Sequence, residues 1–377
     1  MTDFIPVFEP NYNGNEKKYL SECIDTNWLG SNGPFVRRIE EEFSKFCNQE
    51  FGSCVSNGSA ALDITIRAMK NLYKWEDNDE IVIPSFNIIS AAQSCIYNNL
   101  KPVFVDAEEK TWNIDTTKIE EVITKKTRAI VIVHIYGLPS DIEPILEIAK
   151  KYNLKVIEDA AQAHGQMYKG KPCGSFSDVA TFSFFTNKHI SCGEGGIILT
   201  SNKELLDKIN YYKNLCFTPE KFVHTDLGWN YRMTNLQGAI ACAQFEKLDE
   251  TIKRKIELGN KYQELLKGIP AQLSCKETAY AKNHYWIFGL VLNEDVKFNA
   301  NLAMIELRKA NIETRPFFYP MHKQPIFEKM GILDNIKRPI SEKLYEKGFY
   351  IPMGLNLTDE KLEFISNKIK NLFNSKF

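Results

Sequence analysis

Between about residues 50 and 200, short runs of β-branched and apolar residues alternate with amphipathic stretches of helical length. This alternation is typical of a parallel β-sheet whose strands are joined by helical crossovers. Several runs are apolar at consecutive positions, which indicates strands buried on both faces. The predicted strands are Gly52–Val55, Ile81–Pro84, Pro102–Val105, Ala129–His134, Lys155–Glu158, Ala180–Phe184 and Gly196–Leu199, and the predicted crossover helices are Ala60–Leu72, Ser90–Asn98, Ile142–Tyr152 and Lys203–Lys213. We therefore expect an α/β fold with a mainly parallel sheet covered by helices on both faces.

After Gln237 the pattern changes, and Ala239–Leu266 has the periodicity of one or two helices with a charged face. We expect a large domain over residues 1–245 and a smaller C-terminal α/β domain over residues 246–377. The first fifteen residues are apolar and contain prolines, so they should pack against one of the domains. The smaller domain is predicted from the strand Tyr285–Leu292, the helix Leu302–Lys309, the extended segment Ile312–Tyr319 and the closing helices Ser341–Lys347 and Asp359–Phe373.

The composition excludes several classes of protein. Lys plus Arg number 47 and Asp plus Glu 48, so no strong field favours nucleic acid or an anionic membrane. The nine cysteines are scattered through apolar segments without a Cys-x-x-Cys pair, and no metal site is predicted. We interpret them as reduced core thiols of a cytoplasmic protein. The N-terminus lacks a signal-peptide pattern, and no apolar run reaches the ~18 residues of a membrane span.

Lys188 is the strongest candidate for a reactive residue. It lies between two strand-like runs and is followed by the glycine-rich turn Gly193–Gly196. A lysine in such a position can be held, partly desolvated, over a cofactor, where it can form a Schiff base. The alternative is a solvated lysine beside a turn. Ser183, a hydroxyl in an otherwise apolar strand, favours the functional interpretation because it could donate to a phosphate.

Two further segments suggest a bound ligand. Asp159 ends a buried strand, where α/β proteins bind ligands, although it could equally be a helix N-cap. The turn Ser56–Ala61 follows a strand and opens a helix. The amides of Gly58, Ser59 and Ala60 would face an anion docked on that helix, whereas a plain N-cap turn is the alternative.

Together these segments resemble the DegT/DnrJ/EryC1/StrS family of sugar aminotransferases, which have aminotransferase fold type I. Within the family, the GDP-perosamine synthases, which aminate a 4-keto-6-deoxy sugar nucleotide, are most similar. The resemblance runs essentially from end to end. Its main carriers are Ser56–Ala61, Glu158–His164, Ser183 with Asn187–Lys188 and Gly193–Gly196, and Gly228–Asn235, supported by Ile5–Pro10, Asp25–Trp28, Thr111–Asp115, Ile312–Pro316 and Phe318–His322.

The resemblance implies pyridoxal 5′-phosphate as the cofactor, with pyridoxamine phosphate as its aminated form. It implies that Lys188 forms the Schiff base, that Asp159 binds the ring nitrogen, and that Gln162 binds the ring hydroxyl. Ser183 and the Gly58–Ser59 turn would hold the phosphate. L-glutamate would donate the amino group to a keto-sugar nucleotide for surface polysaccharide biosynthesis.

The family resemblance also implies a homodimer, because Asn230 matches an asparagine that reaches the phosphate from the neighbouring subunit. His322 and Arg315 are tentative substrate contacts, with a structural histidine and a surface arginine as the alternatives. Trp28 is expected to anchor the core rather than to support a sugar.

The chain departs from the family pattern at several positions. Related dehydratases carry histidine where Lys188 stands, and the spacing to Gly193 places lysine in register, so dehydration is disfavoured. Ile88 replaces an aromatic that usually stacks on the cofactor ring, which should weaken cofactor binding by about 1 kcal/mol. Gly30 and Met353 replace more polar residues and could alter the substrate pocket.

These departures leave the substrate open. One alternative is the same chemistry on a small phosphorylated ketone such as dihydroxyacetone phosphate, giving an amino-polyol phosphate for a capsule. An alternative from another class is a catalytically silent regulatory protein on the same fold.

Overall fold

The computed structural model describes residues 4–220, 222–333 and 336–374, so the ends of both predicted domains lie outside the described residues. In chain order the strands are β1 (Phe51–Val55), β2 (Glu80–Pro84), β3 (Lys101–Val105), β4 (Thr127–Val133), β5 (Lys155–Asp159), β6 (Met167–Tyr168), β7 (Lys171–Pro172), β8 (Val179–Ser183), β9 (Gly196–Thr200), β10 (Ala271–Leu273), β11 (Phe288–Leu292), β12 (Arg315–Pro316) and β13 (Gly348–Ile351). The α-helices are α1 (Glu16–Asp25), α2 (Pro34–Phe46), α3 (Gly58–Tyr73), α4 (Ser90–Tyr97), α5 (Ile142–Tyr152), α6 (Lys203–Lys213), α7 (Asn235–Glu246), α8 (Leu248–Leu265), α9 (Ala300–Lys309), α10 (Pro325–Lys329), α11 (Pro339–Lys347) and α12 (Asp359–Asn374).

The large sheet has the strand order β1-β9-β8-β5-β4-β2-β3. Strand β9 runs antiparallel to both of its neighbours, and the remaining pairs are parallel. All the strands predicted before residue 200 are present, displaced by at most two residues at either end. The predicted mainly parallel sheet is therefore confirmed.

Helices cover both faces of the large sheet, as predicted. Strand β4 shows why, since its side chains alternate between two apolar clusters. Ala129, Val131 and Val133 lie in a cluster with residues of α3, α4 and α6, whereas Ile130 and Ile132 lie in another with residues of α5. All five side chains are fully buried. Continuous apolar runs arise where neither face of a strand meets water.

A second sheet, with the order β10-β11-β13-β12, forms the C-terminal part of the fold. The N-terminal segment packs against this part, because Ile5 pairs with Ile312 and the Val7 amide donates to the Glu313 carboxylate at 3.0 Å. The expectation that the first fifteen residues are packed is thus confirmed from Phe4 onward. The domain boundary at residues 245 and 246 stays a prediction.

One expectation about a side chain was wrong. Trp28, expected in the core, is 51% exposed in the loop between α1 and α2, because the sequence shows the residue type but not the face on which it lies. Met353 is 2% exposed inside the C-terminal apolar cluster, and its effect on the substrate pocket stays a prediction. Within the described ranges, no helix is both long and apolar enough to cross a membrane.

Candidate active site

The carboxyl edge of the large sheet brings the predicted site residues together. Asp159 and Ser183 are the last residues of the neighbouring parallel strands β5 and β8. On the other side of β8, Ser183 pairs with Gly196 of β9, and Gly196 in turn pairs with Val55, the last residue of β1. The loop that follows β1 therefore starts at the same edge as Asp159 and Ser183.

Two glycines let this loop cross β9 and reach Ser183. A Cβ on Gly196 would lie 2.9 Å from the carbonyl carbon of Asn57, so the crossing requires a residue without a side chain. A Cβ on Gly58 would lie 2.7 Å from the Ser183 Cβ. The first turn of α3 is thereby held directly against the end of β8.

This turn has the features of an anion site. The Asn57 side-chain oxygen accepts a hydrogen bond from the Ala60 amide at 2.8 Å, and the Asn57 backbone carbonyl accepts one from the Ala61 amide at 3.0 Å. The amides of Gly58 and Ser59 precede them at the positive end of the helix dipole, where they have no acceptor within the helix. The Ser59 hydroxyl contacts the Ser90 hydroxyl at 2.9 Å.

The acid and the amide predicted to face the cofactor ring are both buried. Asp159 is 3% exposed, and one carboxylate oxygen accepts the Ala161 amide at 3.2 Å. Burial raises the pKa of Asp159, against the lowering effects of this hydrogen bond and of the Lys188 and His134 charges. Gln162 accepts the Tyr136 amide at 2.8 Å through its side-chain oxygen, which leaves its NH₂ group as a donor.

Lys188 lies in the segment between β8 and β9, and its amine is desolvated. Burial lowers the pKa of Lys188 to about 7, although the negative charge of Asp159 opposes the shift. Its Nζ lies 3.5 Å from the centroid of the Trp286 ring. Neutral and protonated forms of this lysine therefore coexist near pH 7, as a Schiff-base nucleophile requires.

Several polar atoms near Lys188 lack hydrogen-bond partners among the described residues. They include Asn187 Oδ1, His164 Nε2 and His189 Nε2. Burial lowers the pKa of His164 to about 3 and that of His189 well below its usual value, so both rings are neutral. Unpaired buried polar atoms are uncommon and need an explanation, such as an absent ligand or water.

These features fit pyridoxal phosphate. Gly58 and Ser183 form a cradle that a Cβ would fill, and the adjacent amides and hydroxyls match the phosphate. A protonated ring nitrogen beside the buried Asp159 carboxylate would favour its charged form and oppose the effect of burial. Lys188 supplies the desolvated amine that the Schiff base needs.

Among the described residues, no hydrogen bond or ion pair joins the other predicted site residues to Asp159, Ser183 or Lys188. Asn230 is exposed in the segment before α7, where it pairs with Asn214. His322 is 9% exposed and uses both ring nitrogens, one with the Ser85 hydroxyl at 2.6 Å and one with Glu342 at 3.1 Å. Arg315 is exposed on β12 and pairs with Glu313 at 2.7 Å.

Sequence reasoning missed Trp286. The apolar run around Trp286 predicted only a strand, and in the structure this strand begins two residues after Trp286, at Phe288. No local pattern could have shown that a residue about 100 positions away touches Lys188. Ile88, at the predicted ring-stacking position, is 49% exposed and thus available to contact a bound ring.

A second cluster of possible ligands carries no metal proposal. Atoms of His134, Glu158 and Cys173 lie within 4.8 Å of one another in the core. His134 donates to Glu158 at 2.9 Å and accepts the Ser140 amide at 3.2 Å, so both ring nitrogens are engaged. Burial also raises the pKa of the Cys173 thiol well above its usual value, which disfavours the thiolate.

Comparison with known proteins gives a consistent result. Residues 10–370 match the model of the DegT/DnrJ/EryC1/StrS aminotransferase family. The chain is 35% identical to GDP-perosamine synthase of Vibrio cholerae, covering 98% of this chain and 99% of that protein. It is 36% identical to GDP-perosamine synthase of Escherichia coli O157:H7, covering 99% and 100%. Among solved structures, Helicobacter pylori PseC, an aminotransferase involved in pseudoaminic acid biosynthesis, aligns with a TM-score of 0.91 at 22% identity, covering 99% and 100%.

Proposed function

Because the chain belongs to the DegT/DnrJ/EryC1/StrS aminotransferase family, we propose that it transfers an amino group from L-glutamate to the keto group of a nucleotide-linked 4-keto-6-deoxy sugar for surface polysaccharide biosynthesis. Family membership confirms the predicted aminotransferase activity, the fold and pyridoxal 5′-phosphate as the cofactor. The observation that carries the proposal is the desolvated Lys188 amine beside Asp159 at the carboxyl edge of the sheet.

Pyridoxal phosphate, when bound, supplies a ring that accepts the charge left when a proton leaves the carbon that bears the nitrogen. Asp159 would bind the ring nitrogen and favour its protonated form. Gln162 would donate its NH₂ group to the ring hydroxyl, since the Tyr136 amide already occupies its oxygen. Lys188 would hold the cofactor, and its neutral amine would carry the proton.

The phosphate would be held where α3 begins. The Gly58 and Ser59 amides would bind its oxygens at the positive end of the helix, and the Ser183 hydroxyl would donate from the facing strand. The close contact between Gly58 and Ser183 sets the width of this cradle.

The same proposal includes a homodimer whose active sites are shared between subunits. Asn230 is exposed, which suits a residue that serves the partner's phosphate. The preceding segment carries exposed apolar side chains, with Phe222 at 81% and Leu227 at 84%. Trp28, at 51%, adds to the apolar surface that a partner would cover. Because Asn230 would contact the cofactor of the partner subunit, we expect Asn230→Ala to weaken cofactor binding in the dimer but not in a separated subunit.

We further propose that the enzyme works in the cytoplasm. All nine cysteines are unpaired, and eight of them are buried, as expected for thiols that a reducing compartment maintains. For the substrate, Arg315 stays a candidate contact because it is exposed, whereas the two protein partners of His322 also support a structural role.

The proposal is tested by an amino-acceptor screen. Purified protein is loaded with pyridoxal phosphate and L-glutamate and then given GDP- or dTDP-linked 4-keto-6-deoxy sugars, or dihydroxyacetone phosphate. We expect 2-oxoglutarate to accumulate with a nucleotide-linked sugar. Turnover with dihydroxyacetone phosphate and with none of the nucleotide-linked sugars would refute the sugar substrate. Absence of the visible absorbance of lysine-bound cofactor would instead support a silent protein.

A further inference from the structure

Trp286 contacts two consecutive residues of the Lys188 segment. Its indole N–H donates to the Asn187 carbonyl at 2.7 Å, and its ring centroid lies 3.5 Å from Lys188 Nζ. One side chain thus fixes both the peptide before Lys188 and the tip of the lysine. Among the described residues the Lys188 amine makes no hydrogen bond or ion pair, and the indole face is an aromatic surface in direct contact with it.

Trp286 is itself held rigidly. Lys255 of α8 donates to its carbonyl at 3.2 Å, and the side chain is 7% exposed. On the other side, its backbone lies against Gly137, where a Cβ would come within 2.5 Å of the Trp286 nitrogen. The adjacent Tyr136 ring lies 6.1 Å from the indole, and the Tyr136 amide donates to Gln162. Trp286 therefore belongs to the same packed unit as the predicted cofactor residues.

We propose that Trp286 is a positioning residue that holds the free Lys188 amine over its indole face whenever the lysine is not bonded to the cofactor. The proposal rests on the aminotransferase function argued above, in which Lys188 is released and recaptured in each cycle. A lysine held in one place returns to the reacting carbon without searching several rotamers. It assigns a role in Lys188 chemistry to a residue of the C-terminal part of the chain.

The indole face also affects the charge of Lys188. A cation over an aromatic face is stabilised by the ring quadrupole, and the effect grows when water is excluded. Trp286 thereby opposes burial, which lowers the Lys188 pKa. Asp159 is the acidic group around the amine, and its negative charge also opposes the lowering of the Lys188 pKa. Burial raises the pKa of Asp159 itself. The basic groups nearby all have a pKa lowered by burial; they are His164 and, farther away, His189, His284 and Lys255.

The proposal predicts the effect of removing the indole face. In cofactor-free Trp286→Leu protein, the titration midpoint of Lys188 should fall by about 1 pH unit, which corresponds to about 1.4 kcal/mol. Trp286→Phe keeps an aromatic face but loses the N–H donor, so its midpoint should lie between wild type and Trp286→Leu. Trp75→Leu is the matched control, because Trp75 is 8% exposed and lines a different cleft, with Tyr73 and Arg128.

The midpoint is measured by trace acetylation with acetic anhydride across pH, with the Lys188 peptide quantified by mass spectrometry. A second readout uses the loaded enzyme, in which Trp286→Leu should lower kcat about tenfold and leave KM for L-glutamate unchanged. An unchanged midpoint in both Trp286 variants, or an equal shift in Trp75→Leu, overturns the proposal. If Trp286→Leu does not fold, the Trp286→Phe midpoint decides. If the Trp286 variants shift the midpoint as expected but the wild-type enzyme releases no 2-oxoglutarate, the proposed function is refuted instead, because the labelling needs neither cofactor nor substrate.

Discussion

Two lysines, the half-buried Lys188 and the buried Lys255, have the same change in acidity and different surroundings. Burial lowers the pKa of each to about 7. Lys255, 1% exposed in α8, donates to the Met353 carbonyl at 2.6 Å and the Trp286 carbonyl at 3.2 Å. Lys188 faces Asp159 and an indole ring beside polar atoms that lack partners.

The difference shows that a lowered pKa alone does not identify a reactive lysine. Lys255 is satisfied by fixed carbonyls, so its amine ties three segments of chain together. Lys188 has the same electrostatic cost without that satisfaction, which leaves its amine free to bond elsewhere. Desolvation makes an amine neutral, and the surrounding groups decide whether it can react.

The sharpest test of this comparison replaces each lysine with methionine. Lys188→Met should reduce turnover by about 10⁴-fold or more, because both the Schiff base and the proton carrier are lost. Lys255→Met should stay within about tenfold of wild type, since it acts on Lys188 only through the Trp286 carbonyl. The measurement is 2-oxoglutarate release under saturating substrates. Equal losses in the two variants would refute the distinction.

The pH dependence of stability tests what the two lysines share. In cofactor-free protein each folded-state pKa, about 7, lies below the usual 10.5, so between these values the unfolded chain binds more protons. The free energy of unfolding should therefore rise with pH in that window, by at most about 1.4 kcal/mol per pH unit for each lysine. Each methionine variant should remove one such contribution from urea unfolding curves. A slope in Lys255→Met as steep as that of wild type would mean that Lys255 is solvated.

A smaller effect is expected at the phosphate cradle, which has no counterpart around Lys255. Gly58→Ala brings a Cβ to 2.7 Å from the Ser183 Cβ, so the cradle must widen. We expect the cofactor dissociation constant to rise about tenfold and the free energy of unfolding to fall by about 1–3 kcal/mol. Gly30→Ala is the matched control, because a Cβ there meets nothing within 4 Å. Cofactor titration followed by absorbance measures the dissociation constant of each variant, and urea unfolding measures its free energy of unfolding. Similar losses in Gly58→Ala and Gly30→Ala would show that the cradle is not the cause.

The smallest expected effect is a gain. Ile88 is 49% exposed, and a phenylalanine there could stack on the cofactor ring. Ile88→Phe should tighten cofactor binding by about 1 kcal/mol, or roughly fivefold. Ile326→Phe, at 46% exposure on α10, controls for added aromatic surface. Weaker binding in Ile88→Phe would show that Ile88 does not face the ring.

Much of the fold could be predicted because its signals are local. Consecutive apolar residues in β4 predicted a strand buried on both faces, and helix α5 was predicted with its observed bounds, Ile142–Tyr152. Helices α1 and α2 and strand β13 were not predicted. Helix α2 begins with Pro34 after Gly33. Trp28 was expected in the core but is 51% exposed, because residue type alone does not show which face of the chain is covered.

Residue type and spacing along the chain were enough to predict the alternating architecture and to single out Lys188 and the acid at the end of β5 as candidate site residues. Which distant groups meet depends instead on tertiary packing. It placed Trp286 on Lys188, gave His322 partners on both nitrogens, and buried Met353 among apolar side chains. These contacts join residues up to hundreds of positions apart. They are fixed by how the two sheets and α8 pack, and no local periodicity encodes that packing.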